Sequence, residues 1–458
     1  MSNIIDYIVW RGDISTQVSP FNDIDCLILS QIAMINFKGI IPPPFESGKI
    51  SLRNAAELYF GDEERSAESL GYIIPPETKE LFRIAGESKR FGEMMLSGYV
   101  GYTNVSEEVQ FAALSVEVGD GSILAVFRGT DDTLVGWKED FNLSFLSPIP
   151  AQTEAKKYVE DVSTVFGGDI RVGGHSKGGN LAVYAATKAD IEVQKRIIAV
   201  YNHDAPGFSR EFLSSEEFLR IEDKVKTVVP QSSLVGMLFE NKGDYQIVKS
   251  SMTGIFQHNP FSWELSGSRF VTLDELTEDG KRISGAANAW MEKMNVEQRR
   301  EFVDAVYRIL IATEATTLTE LNKDKYAIVR ALRDTDKETR KMVFSTFGML
   351  IDEGGRLFRN SIFNSIFKKD KAVNASAEES FDRAYAEAKE TFSRLGEHGD
   401  IPDIAEPEAK PKECAERKVA KRATAKREMK EFYVKDNGIM TRAAIAARRA
   451  VLKKTRKK

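Results

Sequence analysis

The hydrophobic pattern divides the chain into a strand-rich half and a helix-rich half. Runs of β-branched and aromatic residues over 109–116 and 122–127 predict two strands, and Gly119-Asp120-Gly121 between them predicts a hairpin turn. Further short apolar runs predict buried strands ending near Gly173, over 196–201, over 225–229 and over 245–249. After Gly173 the period changes, and Leu181, Ala182, Val183 and Ala185 fall on a predicted helix. Strands alternating with helices predict an α/β fold, a central sheet with helices on both faces.

Beyond about residue 275 the pattern becomes helical. Charged residues over 297–312 are interleaved with Phe302, Val303, Val306, Ile309 and Leu310 at helical spacing. A second helical run holds Met342, Val343, Phe347, Met349, Leu350 and Ile351, and Gly354-Gly355 breaks it. Leu357, Phe358, Ile362, Phe363, Ile366 and Phe367 follow, flanked by Arg356, Arg359, Lys368, Lys369 and Lys371. That stripe suits either a helix lying in a membrane interface or one packed on its own domain. Pro402, Pro407 and Pro411 then mark a linker. The expected organisation is an α/β domain over 1–270, a helical region over 271–400 and a basic tail over 401–458.

Charge sharpens this division. Residues 410–458 hold 18 Lys or Arg against 5 Asp or Glu, a net of +13 on a chain whose total is −5. Such a tail is expected to be a solvated, weakly structured extension, and its charge suits three anionic partners: nucleic acid, a membrane surface of anionic lipid, or the acidic body of the same protein. With 458 residues and 42% hydrophobic content, the rest of the chain supports a sizeable core. Two cysteines, Cys26 and Cys414, fit a reducing compartment and offer no disulfide framework. The opening residues lack a basic segment followed by an apolar one, and no run reaches the length of a membrane span, so a cytoplasmic protein is expected.

The chemistry concentrates at Gly173-Gly174-His175-Ser176-Lys177-Gly178-Gly179-Asn180-Leu181-Ala182. G-x-S-x-G between a strand and a helix predicts a nucleophile elbow, a sharp turn that holds a serine hydroxyl clear of the sheet. Glycines two before and two after Ser176 leave room where the chain folds back on itself. A phosphate-binding loop is the plain alternative, but neither G-x-x-x-x-G-K-[ST] nor G-x-G-x-x-G is present. Upstream, Phe127-Arg128-Gly129-Thr130 ends a strand and Trp137-Lys138-Glu139-Asp140 follows. A backbone N–H or hydroxyl at Thr130, together with the Lys177 N–H, is expected to hold an oxyanion.

F-R-G-T, then W-x-x-D, then G-H-S-x-G-G-N-L-A resembles the class 3 lipases, a branch of the α/β-hydrolases. More closely, the chain resembles the Mbeg-like bacterial family of lipase-like hydrolases. Matching blocks lie at 4–13, 19–25, 127–141, 173–186, 201–208, 229–238 and 257–263, so the resemblance spans about 1–270. It implies that Asp140 braces the oxyanion loop.

A serine hydrolase needs a base and an acid beside Ser176. Of the four histidines, His175 neighbours the serine and is expected to point away from it, and His398 lies outside the resemblance. His258, in a loop-like stretch after the strand at 245–249, is the expected base, and the resemblance points to the same residue. His203 is expected to make a structural hydrogen bond. Asp204 follows the strand at 196–201, and Ser176…Asp204…His258 is the α/β-hydrolase order. Class 3 lipases usually carry the acid after the next strand, but here Pro230-Gln231-Ser232-Ser233-Leu234-Val235-Gly236 contains no carboxylate. Either Asp204 is the acid, or a neutral residue such as Ser233 orients the histidine. Asp131 and Asp132 match no Ca²⁺-loop spacing, no zinc signature appears, and no cofactor or metal is expected.

Two functions follow from these readings. One is an ester hydrolase of lipase or esterase type that acts on acyl esters or lipids through an acyl-enzyme on Ser176. The other is a catalytically weak, hydrolase-shaped binding protein whose basic tail takes an anionic partner.

Overall fold

The structure is a computed structural model that describes residues 2–323 apart from 45–47 and 242–244, with scattered positions from 327 to 346. The apolar stripe at 357–367, the basic tail, His398 and Cys414 lie outside the described residues.

Among the described residues, β1 (Ile50–Ser51), β2 (Met95–Asn104), β3 (Val109–Glu117), β4 (Ile123–Phe127), β5 (Ile170–His175), β6 (Ile197–His203), β7 (Val225–Pro230) and β8 (Tyr245–Val248) are hydrogen-bonded side by side in that order. The hairpin of β9 (Leu265–Ser266) and β10 (Arg269–Phe270) stands apart, and β11 (Thr272–Leu273) closes the far edge against β8. Strands β4 to β8 run parallel, while β1 to β4 and the β8–β11 pair are antiparallel. The expected hairpin joins β3 to β4, with Gly119 and Gly121 at φ of +86° and +87°. β6 runs two residues further than its apolar run suggests, which brings its end directly to Asp204.

This strand order dictates how the faces are covered. Neighbouring parallel strands in sequential order, joined by right-handed crossovers, put every crossover helix on one face. Helices Pro150–Val165 and Lys177–Lys188 lie there, against Ile123, Ala125 and Phe127 of β4 and Val172 of β5. Leu124 and Val126, at the alternate positions of β4, face the opposite side. That side is covered by residues that precede the sheet, in helices Ile4–Arg11, Asp23–Ile32, Leu52–Gly61 and Glu77–Glu87. Each fully buried Ile, Leu or Phe on either face contributes roughly 1.5–3 kcal/mol. The two-faced α/β architecture read from the sequence is therefore present.

A buried ion pair ties the first cover together. Arg90 donates from Nη2 to Asp25 Oδ2 at 2.5 Å and from Nε to Oδ1 at 2.7 Å, and Tyr7 donates to the same carboxylate at 3.0 Å. Arg90 Nη1 also reaches the carbonyls of Ile14 and Ser19. The motif-like blocks at 4–13 and 19–25 thus serve packing.

After β11 the chain is helical, in Glu278–Glu292, Val296–Ile311 and Leu318–Lys323. Phe302, Val303, Ala305 and Ile309 form a small core that Phe145 and Val343 complete. The helix Val296–Ile311 packs on Leu134–Asn142, where Lys138 sits between Glu108 at 2.5 Å and Asp304 at 2.8 Å. No helix among the described residues is long and apolar enough to cross a membrane.

Candidate active site

The carboxyl ends of β4, β5 and β6 and the segment after β8 converge at one edge of the sheet, where open parallel sheets place their functional groups. Ser176 directly follows β5 with φ +58° and ψ −133°, a conformation that a residue with a Cβ adopts only under local constraint. The constraint is visible in the flanking glycines. A Cβ on Gly174 would lie 2.3 Å from the Gly178 carbonyl carbon, and one on Gly178 would lie 2.2 Å from the Phe127 oxygen. The strand, the elbow and the end of β4 approach too closely for any other residue. Ser176 N–H is held by the His203 carbonyl at 3.0 Å, which pins the turn to β6.

Asp204 follows β6 and also has positive φ, +50°. Its side chain is fully buried. Oδ1 accepts from Ser233 Oγ at 2.5 Å and from the Gly236 N–H at 3.1 Å. Oδ2 meets His258 Nδ1 at 2.7 Å. A carboxylate accepts, so Nδ1 carries the proton and Nε2 keeps its lone pair. Of the two candidates left by the sequence, Asp204 touches the histidine, and Ser233 touches Asp204. The Asp204 carboxylate is committed to these contacts rather than to a local turn around Pro206.

His258 ends a short 3₁₀ segment, Gly254–His258, which the loop-like sequence did not indicate. Its neighbours are anchored on both sides. Gln257 Oε1 accepts from the Ser232 N–H at 3.0 Å, and the Gln257 carbonyl accepts from Trp263 Nε1 at 2.8 Å. Ser176 and the His258 ring, whose side chain is 24% exposed, are both open to solvent. Among the described residues Ser176 Oγ has no hydrogen-bond partner.

Thr130 departs in part from expectation. Its hydroxyl donates to Asp140 Oδ2 at 2.5 Å. A hydroxyl has one proton to give, so the Thr130 Oγ1 proton is spent on Asp140 and only the backbone N–H remains for an oxyanion. The loop is nevertheless close to the serine: a Cβ on Gly129 would stand 3.5 Å from Ser176 Cβ. The bracing role that the resemblance implied for Asp140 matches this contact. Burial raises the Asp140 carboxyl to about 6, opposed by the Lys177 ammonium and by the Thr130 hydrogen bond. Its Oδ1 is shut off from solvent with no hydrogen-bond partner among the described residues. The Lys177 N–H opens the helix Lys177–Lys188, where first-turn amides lack intrahelical acceptors.

The two remaining described histidines differ from each other. His175 Nε2 lies 2.9 Å from the His258 carbonyl, which can only accept, so Nε2 is protonated. Burial holds His175 well below the usual histidine range, and its ring lies 4.5 Å from that of His258. His203 is fully buried between Tyr201 and Trp263, and burial pushes it down to about 3. The Gly174 and Asp23 backbone lies against its ring and opposes that shift, although neither ring nitrogen makes a hydrogen bond of good geometry among the described residues.

The acidic cluster upstream is occupied locally. Asp131 pairs with Arg128 at 2.7 Å and accepts from the Thr133 N–H, while Asp132 accepts from the backbone N–H groups of Tyr72 and Thr319. Among the described residues no three His, Cys, Asp or Glu side chains are grouped to hold a metal ion.

The sheet topology, the elbow at the end of β5 and the residues gathered beyond it define an α/β-hydrolase-like protein. Residues 85–308 match the model of the Mbeg1-like family. The match begins later than the resemblance drawn over 1–270 and runs further, through the helix Val296–Ile311. Among solved structures, the chain is similar to a Rhizomucor miehei lipase in a propeptide complex, at 16% identity and a TM-score of 0.25. That alignment covers 36% of this chain and 64% of the lipase, just under two thirds of its length. M37 lipase aligns at 14% identity and a TM-score of 0.29, over 48% of this chain and 70% of the lipase. No curated protein matches the sequence.

Proposed function

We propose that the protein is a cytoplasmic serine hydrolase that cleaves acyl esters, of lipase or esterase type, through an acyl-enzyme on Ser176. His258 Nε2 takes the Ser176 proton as Oγ attacks the ester carbonyl carbon. The N–H groups of Thr130 and Lys177 hold the resulting oxyanion. His258 then returns the proton to the departing alcohol, leaving an acyl group on Oγ. A water molecule, deprotonated by His258, attacks that acyl carbon, and His258 passes the proton to Ser176 Oγ as the acyl C–O bond breaks, releasing the acid and free Ser176. Asp204 orients His258 throughout and stabilises its protonated form.

The observation that carries the reading is the 2.7 Å contact of Asp204 with His258 Nδ1, beside a serine at φ +58° on a glycine-walled turn. The unpartnered Ser176 Oγ is compatible with it, because such bonds often tighten only when substrate binds. The test is labelling of the full-length protein with a fluorophosphonate probe, alongside Ser176→Ala and His258→Ala. Labelling that requires both residues supports the reading. Absence of labelling, where a known esterase reacts, removes it in favour of a hydrolase-shaped binding protein with an anionic partner for 410–458.

A further inference from the structure

Lys177 directly follows the proposed nucleophile, and its side chain has no part in the chemistry above. It is 1% exposed, and all three ammonium protons are used. Nζ donates to the Gln110 carbonyl at 2.9 Å, to Gln110 Oε1 at 2.6 Å and to Glu139 Oε2 at 3.0 Å. Glu139 is fully buried too. Its Oε2 accepts the Gln110 N–H at 3.1 Å and its Oε1 the Ala151 N–H at 2.9 Å. A single buried ion pair therefore joins the elbow, the start of β3 and the helix Leu134–Asn142.

That helix also carries the brace of the oxyanion loop, because Asp140 follows Glu139 and accepts from Thr130. Gly136 in its first turn lies close to both partners. A Cβ there would stand 3.1 Å from Gln110 Oε1 and 3.2 Å from Thr130 Cγ2. The two oxyanion donors come from distant parts of the sequence, and this pair is the bridge between them. A well-packed apolar pair would fill the same space without the cost of desolvating two charges, so the charges are explained better by geometry than by stability.

We propose that the Lys177 side chain and Glu139 are positioning residues, a buried strut that sets the Thr130 and Lys177 N–H groups at the separation an oxyanion needs. The proposal rests on the reading of Ser176 as nucleophile.

The experiment uses full-length Lys177→Met, Glu139→Gln and the double variant, with two readouts. Amide hydrogen exchange over 128–141 reports the loop whether or not the protein turns over. Steady-state kinetics on a short-chain p-nitrophenyl ester report kcat and KM. The double variant removes both charges of the pair, so it recovers part of the thermal stability lost by either single variant, and it decides the matter if a single variant fails to fold. The remaining deficit lies with the Asp140 carboxyl, which loses the Lys177 ammonium. In it, exchange at 129–133 is expected to rise roughly tenfold or more. Its kcat is expected to fall about 10- to 100-fold with KM within about twofold. A double variant with wild-type exchange at 129–133 and wild-type kcat overturns the strut. If wild-type protein shows no Ser176-dependent turnover, the hydrolase reading fails separately, and the exchange result alone upholds or overturns the strut.

Discussion

His175 donates from Nε2 to the main-chain carbonyl of His258, the residue whose ring it faces at 4.5 Å. The contact links the residue before the proposed nucleophile to the proposed base. Because it reaches backbone, it fixes the 3₁₀ segment Gly254–His258 while leaving the His258 ring free to act. His175→Gln keeps a donor and loses the ring contact, whereas His175→Phe keeps the ring and loses the donor. The Phe variant is expected to react with fluorophosphonate about fivefold more slowly than wild type, the effect of one hydrogen bond worth about 1 kcal/mol. The Gln variant should lie closer to wild type, and equal rates for the two would show that the donor is unimportant.

Asp204 and Ser233 are in contact, yet substitution should separate their roles. Asp204→Asn removes the acceptor that holds the Nδ1 proton, and a loss of about 10⁴ in kcat is expected, as for acids of this type. Ser233→Ala removes one of the donors to Oδ1 and leaves the Gly236 N–H in place. It should cost roughly 2 kcal/mol of stability, from a hydrogen bond to a buried charge, and only about tenfold in kcat. Urea unfolding and ester kinetics on the two variants check both expectations. If Ser233→Ala proves as damaging to kcat as Asp204→Asn, the neutral residue is the one that orients the histidine.

The parts of this site that could be read in sequence are those where backbone geometry admits few residues. The elbow needs glycine at 174 and 178 because Gly178 and Phe127 backbone atoms occupy the space a Cβ would take. That Asp204 and His258 come together could be read because strand ends and chain order limit where a candidate acid and a candidate base can stand. The Lys177–Glu139 pair could not, since a lysine in a glycine-rich turn has no local signal that its ammonium is buried against a residue 38 positions away. The role of His175 was hidden for the same reason, its partner being a carbonyl rather than a side chain. Residues 4–92 cover a sheet face that only the handedness of later crossovers leaves bare, so their role depends on strands not yet reached in the chain.

Thr130 illustrates how one proton decides between two roles. Its hydroxyl is committed to Asp140, so Thr130→Val removes a brace and keeps the N–H. A fall of about tenfold in kcat is expected, well short of the 10²–10³ that follows loss of a direct oxyanion donor. A fall of the larger size, measured with the same ester, would return the hydroxyl to the oxyanion hole.

His203 makes stability depend on pH with a definite sign. Burial between Tyr201 and Trp263 pushes its pKa down to about 3, below the ordinary 6.5 that it regains on unfolding. Between those values the unfolded chain binds a proton that the folded one refuses. Its contribution is therefore fully present above about pH 6.5 and is lost as pH falls toward 3. Asp140 acts oppositely: its carboxyl, raised to about 6, favours the folded state at low pH and loses that contribution as pH rises from about 4 to 6. The two overlap, so the whole-protein profile cannot isolate His203, but a difference between variants can. His203→Phe keeps an aromatic ring against Tyr201 and Trp263 and removes the titration. Urea unfolding at pH 7 and pH 4.5 should show the wild type losing more stability than His203→Phe, by up to about 3 kcal/mol. Parallel losses in the two proteins would mean that His203 takes up its proton in the folded state, with the Gly174 and Asp23 backbone as its acceptors.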